Sequence, residues 1–232
     1  MIIRSILFYV LLGMWTIFMG IICLPYLFIP FGFLRKPICF WIKGAFFLIK
    51  VTCGITYEVR GAKNIPKKAV IVVSKHQSTF ETFVLFYHIN NSIFIHKKQL
   101  FFIPIFGQYL KKINMIPIDR KGGASTMKMM LRQTKEKLKN GFSIIIFPEG
   151  TRKKPGDIPK YKSGFTGIYK EAKADILPVA VNSGNYWPKQ IFIKKQGHII
   201  IEFMNVIPSG LDRQAIFEKV QNIIEKKTEE IN

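Results

Sequence analysis

At 232 residues the chain is long enough for one domain with a sizeable core plus an appendage. Thirty-five Lys and Arg against 14 Asp and Glu leave a formal net charge of +21. That points to an anionic partner such as nucleic acid, a phospholipid surface or an acidic protein, with a solvated Lys-rich face as the plainer account of part of the excess. The cysteines, Cys23, Cys39 and Cys53, are odd in number, without metal-ligand spacing or a second cluster with His, which argues against a disulfide framework or a zinc site.

Residues Ile6 to Leu24 carry no charge and, at roughly 1.5 Å per residue, can cross the hydrocarbon core of a bilayer. Arg4 precedes them and no small-x-small cleavage site stands before Cys23, so an uncleaved anchor is expected in place of a signal peptide. The residues leave open whether it spans the bilayer or dips into one leaflet. Pro25, Pro30 and Gly32 then break the helix. Ile38 to Val51 is apolar and aromatic but interrupted by Lys43 and Lys50, and it is too short to cross. It predicts a helix lying in the water–lipid interface, with a buried core helix as the alternative. Arg35, Lys36, Lys43 and Lys50 outweigh Arg4, which puts the body of the chain on the cytoplasmic side. Residues 1–54 are therefore read as membrane-anchoring helices and residues 55–232 as a separate, soluble-looking domain.

That domain alternates strand and helix patterns. Ile55 to Val59 reads as a half-buried strand, Val70 to Val73 as a buried one, and Phe80 to Tyr87 as a helix. Ile93 to Ile95 predicts a short strand, Phe102 to Gly107 a groove wall or loop, and Ile113 to Ile118 another strand. Met127 to Lys139 is an amphipathic helix. Phe142 to Phe147, Ile176 to Val181 and Ile199 to Phe203 read as further strands, with a helix between Tyr161 and about Lys173 and a last one from Asp212 to Glu230. Such alternation predicts an α/β fold with a mixed sheet flanked by helices.

Three of these strands end in polar clusters: His76 with Glu81, Arg120 with Lys121, and Glu149 through Arg152. Carboxyl ends of strands are where α/β folds carry their working groups, although polar strand-end loops are also ordinary. His76 and Glu81 meet only if the ring sits on the turn before a helix and the carboxylate in its first turn. Ser78 to Glu81 fits a capping box with Ser78 as N-cap and Glu81 at the third helical position, which by itself explains Glu81 without catalysis.

The stretch from His76 to Glu81, a His followed after four residues by an acidic residue, resembles the first motif of the glycerolipid acyltransferases, specifically the 1-acylglycerol-3-phosphate acyltransferases of bacterial type. Glu stands where Asp is usual. Ile118-Asp119-Arg120 with Lys121-Gly122 is similar to the second motif, Phe147-Pro148-Glu149-Gly150-Thr151-Arg152 matches the third, and Ile176-Leu177-Pro178-Val179-Ala180 resembles the fourth. Lys98-Gln99-Leu100, Pro104 and Gly107 also fit, and the likeness runs from about Tyr57 to Val181.

The resemblance implies an enzyme that acylates the sn-2 hydroxyl of 1-acylglycerol 3-phosphate, forming phosphatidate for phospholipid synthesis. It takes acyl-CoA or acyl carrier protein as donor, with no cofactor, and works at the cytoplasmic face of the inner membrane. It assigns His76 and Glu81 to catalysis and Arg120, Lys121, Glu149, Gly150, Thr151, Arg152 and Lys162 to the acceptor. Guanidinium forks suit phosphate, Thr151 and the Gly150 N–H add neutral donors, and Glu149 is expected to pair with an arginine. Glycerol 3-phosphate or another lysolipid is the alternative acceptor, and a non-enzymatic binder of anionic lipid is the rival of a different class. A nucleic-acid role fits the charge but neither the anchor nor any motif.

Overall fold

A strand buried on both faces must pair its backbone groups with neighbours, so the apolar runs assemble edge to edge. The structure, a computed structural model, describes residues 1–103, 106–119, 122–157, 159–189 and 192–232. Among these, the strands are β1 (Ile55–Arg60), β2 (Ile71–Ser74), β3 (Ser92–Lys97), β4 (Ile116–Ile118), β5 (Ser143–Ile146), β6 (Ile176–Val181) and β7 (Gly197–Phe203). They form one sheet in the order β1-β7-β6-β2-β5-β3-β4. The block from β6 to β4 is parallel, β7 pairs antiparallel with β6, and β1 runs parallel to β7, which makes the sheet mixed as expected.

The period of two in the strand sequences decides which helices cover which face. Ile71, Val73, Ile144, Ile176 and Ala180 join one core, filled from α5 (Gly123–Lys139), α6 (Gly164–Ala172) and α7 (Arg213–Glu230) by residues such as Met130, Phe165 and Val220. Val70, Val72, Ile145, Leu177 and Val179 join the other. There Phe8 of α1 (Ile2–Ile22), Ile49 of α2 (Arg35–Cys53) and Phe80 of α3 (Phe80–His88) complete the packing. The central strand β2 is buried along its whole length, so the chain leaving it emerges between β5 and β6.

Pro178 sits inside β6 without a backbone donor, yet its carbonyl accepts from the N–H of Met204 at 3.0 Å. In a strand the missing donor faces the same side, just before the ladder to β7 begins at Val179, so the strand tolerates it.

Some boundaries differ from those read in the sequence. α2 is longer than Ile38 to Val51, because Pro37 falls in its first turn, where no N–H is needed, and Gly54 at φ +68° ends it. Its two faces divide the alternatives: Ile42, Ala45, Ile49 and Cys53 are buried, while Phe40, Lys43, Phe47 and Lys50 face outward. The strand expected from Ile113 shrinks to Ile116–Ile118, because Asn114 turns at φ +58° after α4 (Phe106–Lys112). α4 itself occupies part of the stretch expected to be a groove wall or loop, of which residues 104 and 105 lie outside those described.

Candidate active site

His76 stands two residues past β2, and α3 begins four residues further on. Glu81, in the first turn of α3, is fully buried, and its Oε1 lies 2.9 Å from His76 Nδ1. A carboxylate can only accept, so Nδ1 carries the hydrogen and Nε2 is the basic nitrogen of the neutral ring. Phe147, leaving β5, stacks against the imidazole with ring centroids 3.9 Å apart.

The capping box expected at Ser78 is displaced. Thr79 holds the N-cap position but its side chain makes no cap hydrogen bond, Ser78 Oγ accepts from the N–H of Phe80 at 3.1 Å, and Glu81 is the second helical residue. Its reach back is retained, since Glu81 Oε1 accepts from the N–H groups of Ser78 at 2.7 Å and Gln77 at 2.8 Å. One carboxylate therefore ties the helix start and orients the imidazole, so the capping and catalytic accounts of Glu81 are compatible.

The segment after β5 lies alongside. The backbone N–H of Lys153 donates to the carbonyl of His76 at 2.8 Å, and Arg152 Nη1 donates to Thr79 Oγ1 at 3.0 Å. Arg152 is thereby held beside the histidine loop. Thr151 Oγ1 accepts from Lys189 Nζ at 2.8 Å. Gly150 turns at φ +68°, and a Cβ there would come within 3.2 Å of Lys162 Nζ, so glycine lets that lysine lie across the turn.

Two expectations are corrected. The Gly150 N–H donates to the carbonyl of Phe147 at 3.0 Å, closing the turn, and is not a spare donor for an anion. Glu149 does not pair with Arg152; its Oε1 accepts from the backbone N–H of His76 at 3.0 Å, because the turn points the carboxyl into the protein and the guanidinium out along the loop. Arg120 and Lys121 lie outside the described residues. The others, Thr151, Arg152 and Lys162, are gathered on the loops next to His76.

A family model described as Acyltransferase matches residues 56–182, the span that holds these loops. The chain belongs to the acyltransferase family. It is 38% identical, over 85% of its own length and 77% of the relative, to a 1-acyl-sn-glycerol-3-phosphate acyltransferase of Pseudomonas aeruginosa. It is 28% identical to a protein of the same name from Borreliella burgdorferi over 77% of the chain and 74% of that relative. The crystal structure of the 1-acyl-sn-glycerophosphate acyltransferase of Thermotoga maritima superposes with a TM-score of 0.82 at 25% identity, covering 98% of this chain and 94% of that one.

The acyltransferase also carries groups around its histidine that the sequence did not single out. Lys75, buried, is paired through Nζ with Glu225 of α7, and Tyr161 donates its hydroxyl to the other oxygen of Glu225 at 2.7 Å. Burial, with the charges of Glu149 and Glu225 nearby, holds the Tyr161 phenol far above its ordinary range. Ser183 and Lys189 follow β6. They stand past the carboxyl end of a buried strand, the same signal that pointed to His76, but no acidic or basic neighbour marked them out.

Burial pushes the Glu149 carboxyl from its ordinary 4.5 up to about 7, against the opposing pull of the His76 N–H and Lys75. Folded protein thus holds this proton more tightly than unfolded chain. Its contribution to stability is complete below about pH 4.5 and lost as pH rises through about 7, a difference of about 3 kcal/mol. Glu149→Gln cannot ionise and keeps an acceptor for the His76 N–H. The variant is expected to melt with the wild type near about pH 5 and several degrees above it near about pH 8. A melting difference that does not change with pH would contradict this account.

Proposed function

We propose that the enzyme transfers a fatty acyl group from acyl-CoA or acyl carrier protein to the sn-2 hydroxyl of 1-acylglycerol 3-phosphate, releasing phosphatidate. The observation that carries the reading is the 2.9 Å contact between His76 Nδ1 and Glu81 Oε1, beside Arg152, which bonds Thr79 of the same loop from the segment after β5. His76 Nε2 takes the hydroxyl proton as the acceptor oxygen attacks the thioester carbonyl. Glu81 stabilises the imidazolium that forms. The tetrahedral intermediate collapses with loss of the thiol, which leaves with the proton from His76. No covalent acyl-enzyme is needed, because the acyl group arrives activated as a thioester.

Arg152 binds the acceptor phosphate, with Lys162 adding charge across the Gly150 turn. Arg120 and Lys121 belong to the same site by their place in the second motif. Glu149 anchors the backbone that carries His76, so its role in acceptor binding is indirect. The test is incubation of purified enzyme with lysophosphatidate and either donor, followed by mass spectrometry of the lipid. Phosphatidate is expected; its absence with both donors would overturn the reading.

The work takes place, in this reading, at the cytoplasmic face of the inner membrane. α1 spans 21 residues at a mean hydropathy of 2.1, long and apolar enough to cross a bilayer by length and composition. Ile17 at 66% and Phe28 at 90% are exposed along and just beyond it, and an excess of 21 positive charges suits anionic head groups. Each apolar side chain moved from water is worth about 1.5 to 3 kcal/mol. Ile17→Asp with Phe28→Asp is therefore expected to weaken partitioning onto phosphatidylglycerol vesicles by at least about tenfold. Equal cosedimentation of the variant and the wild type would remove this surface from the membrane contact.

A further inference from the structure

The family match ends at residue 182, and the next residue reaches the catalytic pair. Ser183 is fully buried and donates its hydroxyl to Glu81 Oε2 at 2.7 Å. The other donors to this carboxylate, His76 Nδ1 and the N–H groups of Gln77 and Ser78, all converge on Oε1. Among the described hydrogen bonds, Ser183 alone serves Oε2.

We propose that Ser183 is a positioning residue for acyl transfer, holding the second oxygen of Glu81 so that the first stays aimed at His76. The last torsion of a glutamate is broad, and a carboxylate tethered by one oxygen can swing about it. A hydroxyl on the other oxygen removes that freedom and leaves no buried anionic oxygen without a donor. The tether is itself rigid. Ser183 opens the short 3-10 turn Ser183–Asn185, and the Gly184 N–H donates to Gln77 Oε1 at 3.0 Å. A Cβ on Gly184 would lie 2.9 Å from Gln77 Cβ and 3.0 Å from Pro155 Cγ, so the turn presses against the histidine loop. Asn182 fixes it from below, bonding the Ile231 carbonyl at 2.9 Å and the Ile200 N–H at 2.7 Å.

The arrangement gives the glutamate in this chain a purpose that an aspartate would not serve. One methylene longer than aspartate, Glu81 folds back to the loop amides with one oxygen and still meets Ser183, just past β6, with the other. An aspartate at this position that kept His76 would retreat from Ser183.

The inference rests on the dyad reading, and the test separates the two. Acyl transfer to lysophosphatidate is measured for wild type, Ser183→Ala, Glu81→Asp, the double variant and His76→Ala, with melting temperatures alongside. Ser183→Ala is expected to lower kcat by about tenfold while KM for the acceptor stays within about twofold, because the lost contact acts through Glu81 and touches no substrate. In the Glu81→Asp background the same change is expected to alter kcat by less than about twofold. Wild-type kcat in Ser183→Ala, or an equal loss in both backgrounds, would overturn the positioning role. Should Ser183→Ala fail to fold, Ser183→Cys keeps the volume and weakens the donor, and it is read the same way. If His76→Ala retains turnover, the dyad fails as a whole; if it is inactive while Ser183→Ala is unaffected, only the tether fails.

Discussion

His76→Ala is expected to lower kcat by about 10³-fold, leaving KM for the acceptor and vesicle binding close to those of the wild type. A positioned general base contributes about 10² to 10⁴-fold, and no other group among the described residues has both the basicity and the place to substitute. The ring is 15% exposed at the mouth of the loop, so its loss opens little space in the core. Glu81→Gln is expected to lose a large part of that, because its amide oxygen stays on the Gln77 and Ser78 N–H groups and still holds Nδ1–H, but carries no charge to stabilise the imidazolium. Melting curves accompany that variant, since Glu81 also ties the start of α3. Turnover by His76→Ala within about tenfold of wild type would remove the base from the mechanism.

Arg152→Ala carries the second large effect, and it belongs on the other kinetic parameter. A guanidinium clasping a phosphate makes two charge-assisted bonds, each worth about 1.5 to 3 kcal/mol, so KM for lysophosphatidate is expected to rise by at least about a hundredfold. Arg152→Lys restores the charge without the fork and is expected to recover only part of that loss. The hydrogen bond from Arg152 to Thr79 at 3.0 Å stations the guanidinium beside the histidine loop before substrate arrives. Thr79→Val is therefore expected to reproduce a fraction of the Arg152 defect. An unchanged KM in Arg152→Ala would transfer acceptor binding to other cations.

What could be read from the residues alone follows the range of the forces involved. His76 was legible because four apolar residues, Val70 to Val73, mark a buried strand directly before it, and Glu81 because a helix pattern fixes its distance. The first turn of α3 starts one residue later than the Ser78 pattern predicts, since Ser78, Thr79 and Glu81 can all serve its start and only the backbone decides among them. Glu149 was expected to face an arginine because charge suggested it. The turn at Gly150 instead sends the carboxyl toward the His76 N–H.

The contacts that were invisible join residues far apart in the chain. Ser183 meets Glu81 across 102 positions and Lys75 meets Glu225 across 150, and both depend on sheet order. Nothing local specifies that β6 neighbours β2, or that α7 packs behind that strand. Nothing in the sequence separates Lys75 from the other lysines. It is nearly sealed, at 2% exposure, and its partner on α7 keeps that charge from being stranded.

The most direct test compares kcat/KM for 1-acylglycerol 3-phosphate with that for the same lipid lacking its phosphate, using wild-type enzyme on anionic vesicles. A base set beside a cationic clasp predicts a preference of at least about 10²-fold for the phosphorylated acceptor, shrinking toward unity in Arg152→Ala. Equal use of both acceptors by the wild type would contradict it.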